Sequence, residues 1–147
     1  MIFDDTLIFS KAQAVTVTAP STNTIDVGVN GTPYGASSAL VRDLGGGPEI
    51  PLAAQVVTTF TGGTSLQAVY QVADDTAFSV NLDNVIASAA VPVAALVAGY
   101  QFSLNNIPYR SRRRYHRLNW VAAGTFTTGA VTAGIVSAVQ QHDNTSV

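Results

Sequence analysis

LAAQVVTTFTGGTSLQAVYQVA, Leu52 to Ala73, decides the fold class of this chain. In its first half Leu52, Ala54, Val56, Thr58 and Phe60 fall on every second position. In its second half Leu66, Ala68, Tyr70 and Val72 do the same, with Gln67 and Gln71 between them. Successive side chains of a strand point to opposite sheet faces, so this period marks two half-buried strands. Thr61-Gly62-Gly63-Thr64 separates them and reads as a hairpin turn.

The same period recurs along the chain. AVTVT alternates Val15 and Val17 with threonines, and TIDVGV alternates Ile25, Val27 and Val29 with Thr24, Asp26 and Gly28. YQFSLN sets Tyr100, Phe102 and Leu104 against Gln101, Ser103 and Asn105. AVTAGIVSAV closes the set with Val131, Ala133, Ile135 and Val139. GTFTTG, 124–129, reads as a second turn, between the strand of Trp120 and the last strand. About eight short strands with turns between them predict an all-β fold, a jelly-roll-like antiparallel β-sandwich or a barrel. No amphipathic helix is evident, although DDTAF, 74–78, has Asp74 or Asp75 placed to cap a helical turn.

The chain has 147 residues, a length that folds as one domain with its own core. Three stretches interrupt the pattern. Residues 1–12 form an extended N-terminal arm with Ile2, Phe3, Leu7, Ile8 and Phe9 as its apolar members. Residues 30–51 are rich in Gly, Ser and Pro and read as a long loop. Residues 140–147, QQHDNTSV, read as a frayed polar tail.

Charge is scarce. Only 11% of residues are charged, against roughly 25% in typical soluble domains. Thr, Ser, Gln, Asn, Ala and Gly take the place of charge, which suits a protein whose faces end against partners, and equally a neutral β protein. There is no cysteine, so disulfide and thiolate chemistry are excluded. MIFDDTLIFSKAQ lacks a basic leading segment and is broken by Asp4 and Asp5, unlike a signal peptide. The most apolar run, VIASAAVPVAALVAGY, 85–100, is shorter than the roughly 20 residues of a membrane helix and is interrupted by Pro92 and Gly99. No membrane contact is expected.

Catalytic and metal signatures are sparse. The histidines are His116 and His142. With no cysteine and no HExxH, a transition-metal site is not expected, and His116 reads as a packed or edge histidine. Asp4/Asp5 and Asp74/Asp75 are oxygen donors of the kind calcium takes. Adjacent strand residues point opposite ways, however, so turns and caps are the expected roles. Gly45-Gly46-Gly47 is followed by Pro48-Glu49, which is no phosphate loop. GASSA, 35–39, lacks the strand and helix that flank a nucleophile elbow. Neither a cofactor nor enzymatic activity is expected.

What remains is YRSRRRYHRLNW, Tyr109 to Trp120. Arg110, Arg112, Arg113, Arg114 and Arg117 are five of the chain's seven Lys+Arg residues. Beside Tyr109, Tyr115 and Trp120 they resemble a nucleic-acid grip, in which cations track phosphates and aromatics stack on bases. The net charge of −2 offers no broad positive field for that. An all-arginine cluster also suits bidentate recognition of carboxylates. A protein-facing contact patch, a solvated loop and a nucleic-acid site are the three readings.

Four blocks in order carry a resemblance: MIFDDTLIFSKAQAVTVTAPSTNTIDVG, TTFTGGTSLQAVYQVADDTAFS, VPVAALVAGYQFSL and YHRLNWVAAGTFTTGAVTAGIV. Together they span nearly the whole chain and resemble the capsid cement (decoration) proteins of Bordetella-phage-type short-tailed bacteriophages. The resemblance implies a jelly-roll β-sandwich on the outer surface of the capsid in the virion, with no enzymatic activity. It implies two partners: the phage major capsid protein, and the protein itself as a homo-oligomer, a dimer rather than a trimer. The chain departs from the pattern at 30–41, which is longer, and at 110–114, which is more basic. Capsid or inter-subunit contacts are then expected from Ile2, Phe3, Leu7, Ile8 and Phe9 of the arm and from Arg110, Arg112, Arg113, Arg114 and Arg117. The alternatives are a nucleic-acid-binding β module using the arginines, and an adhesion or glycan-binding module with Tyr34, Tyr109 and Trp120 as its aromatic platform.

Overall fold

The computed structural model describes residues 3–40 and 43–137. Ile2, His142, Val139 and the tail 140–147 lie outside the described residues. Among the described residues there are nine strands: β1 (Phe3–Ala14), β2 (Ala19–Pro20), β3 (Ile25–Asp26), β4 (Leu52–Gly62), β5 (Ser65–Ala73), β6 (Asp83–Ala87), β7 (Val91–Pro92), β8 (Tyr115–Ala123) and β9 (Phe126–Val136). All pairings are antiparallel. One sheet has the order β1-β9-β4. The other runs β2-β8-β5-β6, with β3 also on β8 and β7 also on β5. Among the described residues there are two short 3₁₀ turns, Leu44–Gly46 and Val93–Ala95, and no α-helix. No helix there is long and apolar enough to cross a membrane. The protein is an antiparallel β-sandwich, one of the all-β folds to which the period of two pointed.

The opening stretch supplies the frame. β4 and β5 run beside β9 and β8 as one long ribbon. Ala73 lies opposite Tyr115 at one end and Ser65 opposite Ala123 near the middle. Beyond the middle Thr58 lies opposite Ala130, and Leu52 opposite Ile135 at the far end. The two glycine turns are therefore corners and not the expected hairpins. Gly62-Gly63 carries the chain from the β4 sheet to the β5 sheet, and Gly124 returns β8 to β9. The corners stack. A Cβ on Gly124 would lie 3.1 Å from Gly63 Cα, and the Thr64 N–H donates to the Ala123 carbonyl at 2.7 Å. Gly62, Gly63 and Gly124 all have positive φ, at +73°, +60° and +78°, a conformation that is easy for glycine and strained for other residues. Bending the ribbon lets the apolar faces of both halves meet, which a flat hairpin would leave in water.

Leu52, Val56, Phe60, Leu66, Tyr70, Leu118, Trp120 and Val131 meet in that core, all nearly inaccessible to solvent. Phe60 and Phe126 pack edge to face, 4.9 Å between centroids, and Phe102 lies against Trp120 at 5.5 Å. On β8 the inner face is His116, Leu118 and Trp120.

Several local expectations are corrected. The stretch expected as an N-terminal arm, from Phe3 on, is strand β1, paired with β9 from Phe3 opposite Val136 to Ala14 opposite Ala130. Ile8 and Phe9 are core side chains, 6% and 0% exposed, because the β9 edge and the interior claim them. AVTVT is not a strand: β1 ends at Ala14, Val15 is buried and Val17 is half exposed. Of TIDVGV only Ile25–Asp26 pairs, and Val29 is 73% exposed. YQFSLN makes no regular strand. It lies along the β4 edge through single bonds, with the Phe102 N–H donating to Ala54 and the Leu52 N–H donating to Asn105. That cover blunts an otherwise open sheet edge. DDTAF makes a single turn, with the Phe78 N–H donating to the Asp75 carbonyl at 3.2 Å, and not a longer helix. The Asp75 carboxylate instead accepts from the N–H groups of Ser79 and Val80 and from the Ser79 hydroxyl.

Candidate contact surface and the arginine clasp

At the end of the ribbon away from the corners, the loop 108–114 enters β8. The arginines there do not stand free. Arg114 grips Asp26 of β3 with two parallel bonds, Nε to Oδ1 at 2.7 Å and a terminal nitrogen to Oδ2 at 2.8 Å. Arg112 Nε donates to Asp43 Oδ2 at 2.9 Å and its terminal nitrogen to the Tyr109 hydroxyl at 2.6 Å. Arg113 donates to Asp74 Oδ2 at 2.8 Å. Arg117 Nε donates to Gln71 Oε1 at 2.8 Å, and its guanidinium lies 3.9 Å from the centre of the Phe78 ring. Of the five, Arg110 alone forms neither an ion pair nor a side-chain hydrogen bond among the described residues; its backbone N–H donates to Asp43.

The cluster is thus a clasp. Asp26, Asp43 and Asp74 come from three stretches with little regular structure, and consecutive arginines tie all three to one loop. The forked guanidinium matches a carboxylate in two bonds, which a lysine cannot do. Hydrogen bonds from Arg114, then from the Gly28 N–H, hold the Asp26 carboxyl down at about 2. Partial burial works against ionisation of Asp43. Bonds from Arg112 and from the N–H groups of Arg110 and Gly45 outweigh it and keep that carboxyl below its ordinary range. Exposed pairs of this kind add little to global stability one by one; their effect is to set where the loops lie.

The clasp is pinned to the core from beneath. His116 Nε2 lies 2.9 Å from the Arg113 carbonyl. A carbonyl only accepts, so Nε2 carries the proton and Nδ1 accepts from the Tyr70 hydroxyl at 2.6 Å. Burial pushes the His116 imidazole down to about 4 and the Tyr70 phenol well above its usual range. Both stay neutral near neutral pH. His116 is a packed histidine, as expected.

Two features are exposed. The first is the loop 27–40, which contains no charged residue. The Leu40 N–H donates to the Gly31 carbonyl at 2.9 Å and closes its neck, and the Ala36 N–H donates to Pro33 at 3.0 Å across its tip. Gly35 has φ +79°, the third position of a type II turn. Tyr34 beside it is fully exposed, and Val29 and Leu40 are largely so. The second is a shallow groove of about 360 Å3 between Phe3, Leu7, Ile135 and Val136, with Asp4 and Ser137 at its rim. Of the expected contact residues, Phe3 and Leu7 line that groove, Ile8 and Phe9 are interior, Arg110 is exposed, and the other four arginines are engaged within the chain. Trp120 is wholly buried, so it offers no platform for a glycan. Among the described residues no group of three or more metal-ligating side chains is gathered. Asp4 serves a turn through the N–H and hydroxyl of Thr6.

The carboxylate partners were not found from the sequence. A run of arginines shows a need for acids, but nothing local points to residues as distant as Asp26, Asp43 and Asp74.

Fold and clasp define a β-sandwich with loops tied down by internal ion pairs. The chain belongs to the Bbp16 family, whose model matches residues 9–139. The family carries the name of a Bordetella phage protein, which places the chain in a phage protein family. No curated protein matches the chain.

Proposed function

We propose that this protein is a capsid cement, a structural protein that binds the outer surface of a phage head and braces contacts between major capsid subunits. The observation that carries the proposal is the family match, which covers the sandwich nearly from end to end. The four-block resemblance to cement proteins of Bordetella-phage-type phages adds the specific role. Four of the five clustered arginines are held by partners within the chain. That weighs against the nucleic-acid alternative, which needs free cations at phosphates.

A cement acts through area, geometry and repetition, without catalysis. Its partners are the major capsid protein and a second copy of itself, a dimer before a trimer. Affinity at such surfaces comes chiefly from buried aromatic and apolar anchors. Tyr34 at the tip of its uncharged loop is the first anchor we assign, with Tyr109 and Arg110 beside the clasp and the Phe3–Leu7 groove as further contacts. A linked oligomer engages its second site at high effective concentration, so individually weak contacts suffice.

Co-sedimentation tests the proposal. Full-length protein is mixed with mature shells stripped of it, and separately with single-stranded DNA, at low and at physiological salt. Pelleting with shells at a fixed stoichiometry that survives physiological salt is the expected result. No pelleting with shells, together with salt-sensitive DNA binding, overturns it and reinstates the arginines as a nucleic-acid grip.

A further inference from the structure

Asn30-Gly31 is the one Asn-Gly pair in the sequence. It sits in the uncharged loop, and both residues are exposed. Among the described residues neither the Asn30 carboxamide nor the Gly31 N–H has a hydrogen-bond partner. The carboxamides of Asn23, Asn81 and Asn84, by contrast, bond to the Ile8 carbonyl, to Asp74 and to Gln71. A Cβ at Gly31 would meet nothing within 4 Å, so no neighbouring side chain crowds that position. The Gly31 carbonyl accepts from Leu40, which holds the neck closed and leaves the Gly31 nitrogen free. Asn30 also lines a cleft of about 300 Å3 together with Asp74, Arg112, Arg113 and Arg114.

We propose that Asn30 is a site of spontaneous deamidation, and that the carboxylate it yields is held in the arginine-lined cleft. The Gly31 backbone nitrogen gives up its proton to water or hydroxide and attacks Asn30 Cγ. The new N–C bond closes a succinimide as the bond from Cγ to Nδ2 breaks, and ammonia leaves with a solvent proton. Water then opens the ring at either carbonyl, giving aspartate or isoaspartate, with no oxidation or reduction. Glycine on the far side favours ring closure, because it lacks the Cβ that would crowd it. The guanidinium groups that line the cleft with Asn30 favour the product carboxylate, since nearby positive charge stabilises the ionised form. The product adds a fourth carboxylate beside three arginines that Asp26, Asp43 and Asp74 already pair one to one. The modification therefore acts on the clasp and on the exposed loop together.

The test is peptide mass spectrometry of the full-length protein, held folded in mildly alkaline buffer at body temperature over days. Conversion is expected at Asn30 ahead of Asn23, Asn81 and Asn84, and clearly slower in Gly31→Ala because a Cβ then crowds the attack. In Asn30→Asp the new carboxylate is expected to titrate below the ordinary aspartate range by NMR. Asn30 remaining an amide while other asparagines convert, or Gly31→Ala converting as fast as wild type, overturns the site. A carboxylate titrating in the ordinary range or above it in Asn30→Asp overturns its capture by the cleft.

Discussion

The Tyr70 hydroxyl donates to His116 Nδ1 at 2.6 Å, between the adjacent strands β5 and β8. Through Nε2 the same ring holds the Arg113 carbonyl at 2.9 Å. One neutral imidazole thus joins the interior of the sandwich to the loop that carries the arginines. Tyr70 also packs edge-on against Phe9, 6.1 Å between ring centres, so the first strand leans on the same residue.

Removing the donor tests this link. Tyr70→Phe keeps the ring and its packing but leaves a buried Nδ1 without a partner, which costs about 1–3 kcal/mol. The urea midpoint should fall accordingly with an unchanged slope. Amide exchange in the loop 109–114 should quicken more than exchange in β4 and β9, which lie in the other sheet. Uniform quickening, or no change in midpoint, would show that the bond carries no share of stability.

Acid should weaken the fold through His116 first. Its imidazole sits at about 4 in the folded protein against 6.5 for the free group. Above the higher value it is neutral in both states and has no effect. Between the two values the unfolded state takes up a proton that the folded state refuses, so stability falls as pH falls. The loss levels off below the lower value at about 3 kcal/mol. The depressed carboxyl of Asp26, at about 2, loses its contribution only at lower pH. Unfolding free energy followed from neutral pH downward should therefore drop before the contribution of Asp26 is lost, and His116→Gln should flatten that drop. A flat profile across the histidine window would refute the neutral buried ring.

Phe9→Ala should cost about 3–5 kcal/mol, the range for emptying a buried aromatic site. Phe9 is wholly inaccessible, and its neighbour Ser10 accepts the Trp120 indole N–H at 3.1 Å. Asp5→Ala, which removes only the exposed pair with Lys11, should leave stability nearly unchanged. The emission of Trp120, the only tryptophan in the sequence, reports unfolding in both variants. Deleting Met1 to Phe9 removes part of a core strand, so a loss of shell binding in that truncation would reflect a damaged fold. Tyr34→Ser is the cleaner probe of shell contact.

The period of two made the sandwich legible, because alternation is forced wherever one sheet face is buried. It also picked out Leu66, Ala68, Tyr70 and Val72, all wholly buried on β5. The corners were not legible. Gly62-Gly63 permits a hairpin and a change of sheet equally well. The choice rests on the partners the two strands take, β9 for β4 and β8 for β5, pairings between residues far apart in sequence. Short apolar runs also misled at Val17 and Val29, where alternation continues past the last ladder bond. The arginine cluster was plain to see while its role was not. Its partners are set by where β3, the 43–46 turn and the 74–80 turn converge, and none of these is adjacent in sequence.

Breaking one arm of the clasp should loosen a loop without unfolding the protein. Arg114→Ala removes both bonds to Asp26, yet the pair lies at the surface, with side chains 39% and 42% exposed. The global midpoint should therefore barely move. Asp26 also accepts the Gly28 N–H at 2.8 Å, and the Val27 N–H donates to the Arg114 carbonyl. With Asp26 freed, exchange at Gly28 should rise and spread into the neck of the 27–40 loop, while β5 and β8 stay protected. Arg114→Lys should recover only part of the protection, because an ammonium makes one bond where the guanidinium makes two. In the co-sedimentation assay at physiological salt, Arg114→Ala should pellet less than wild type, since a loosened loop presents Tyr34 at a greater entropic cost. Unchanged pelleting with a visibly loosened loop would show that the tip does not seat on the shell, and contact would then fall to the Phe3–Leu7 groove.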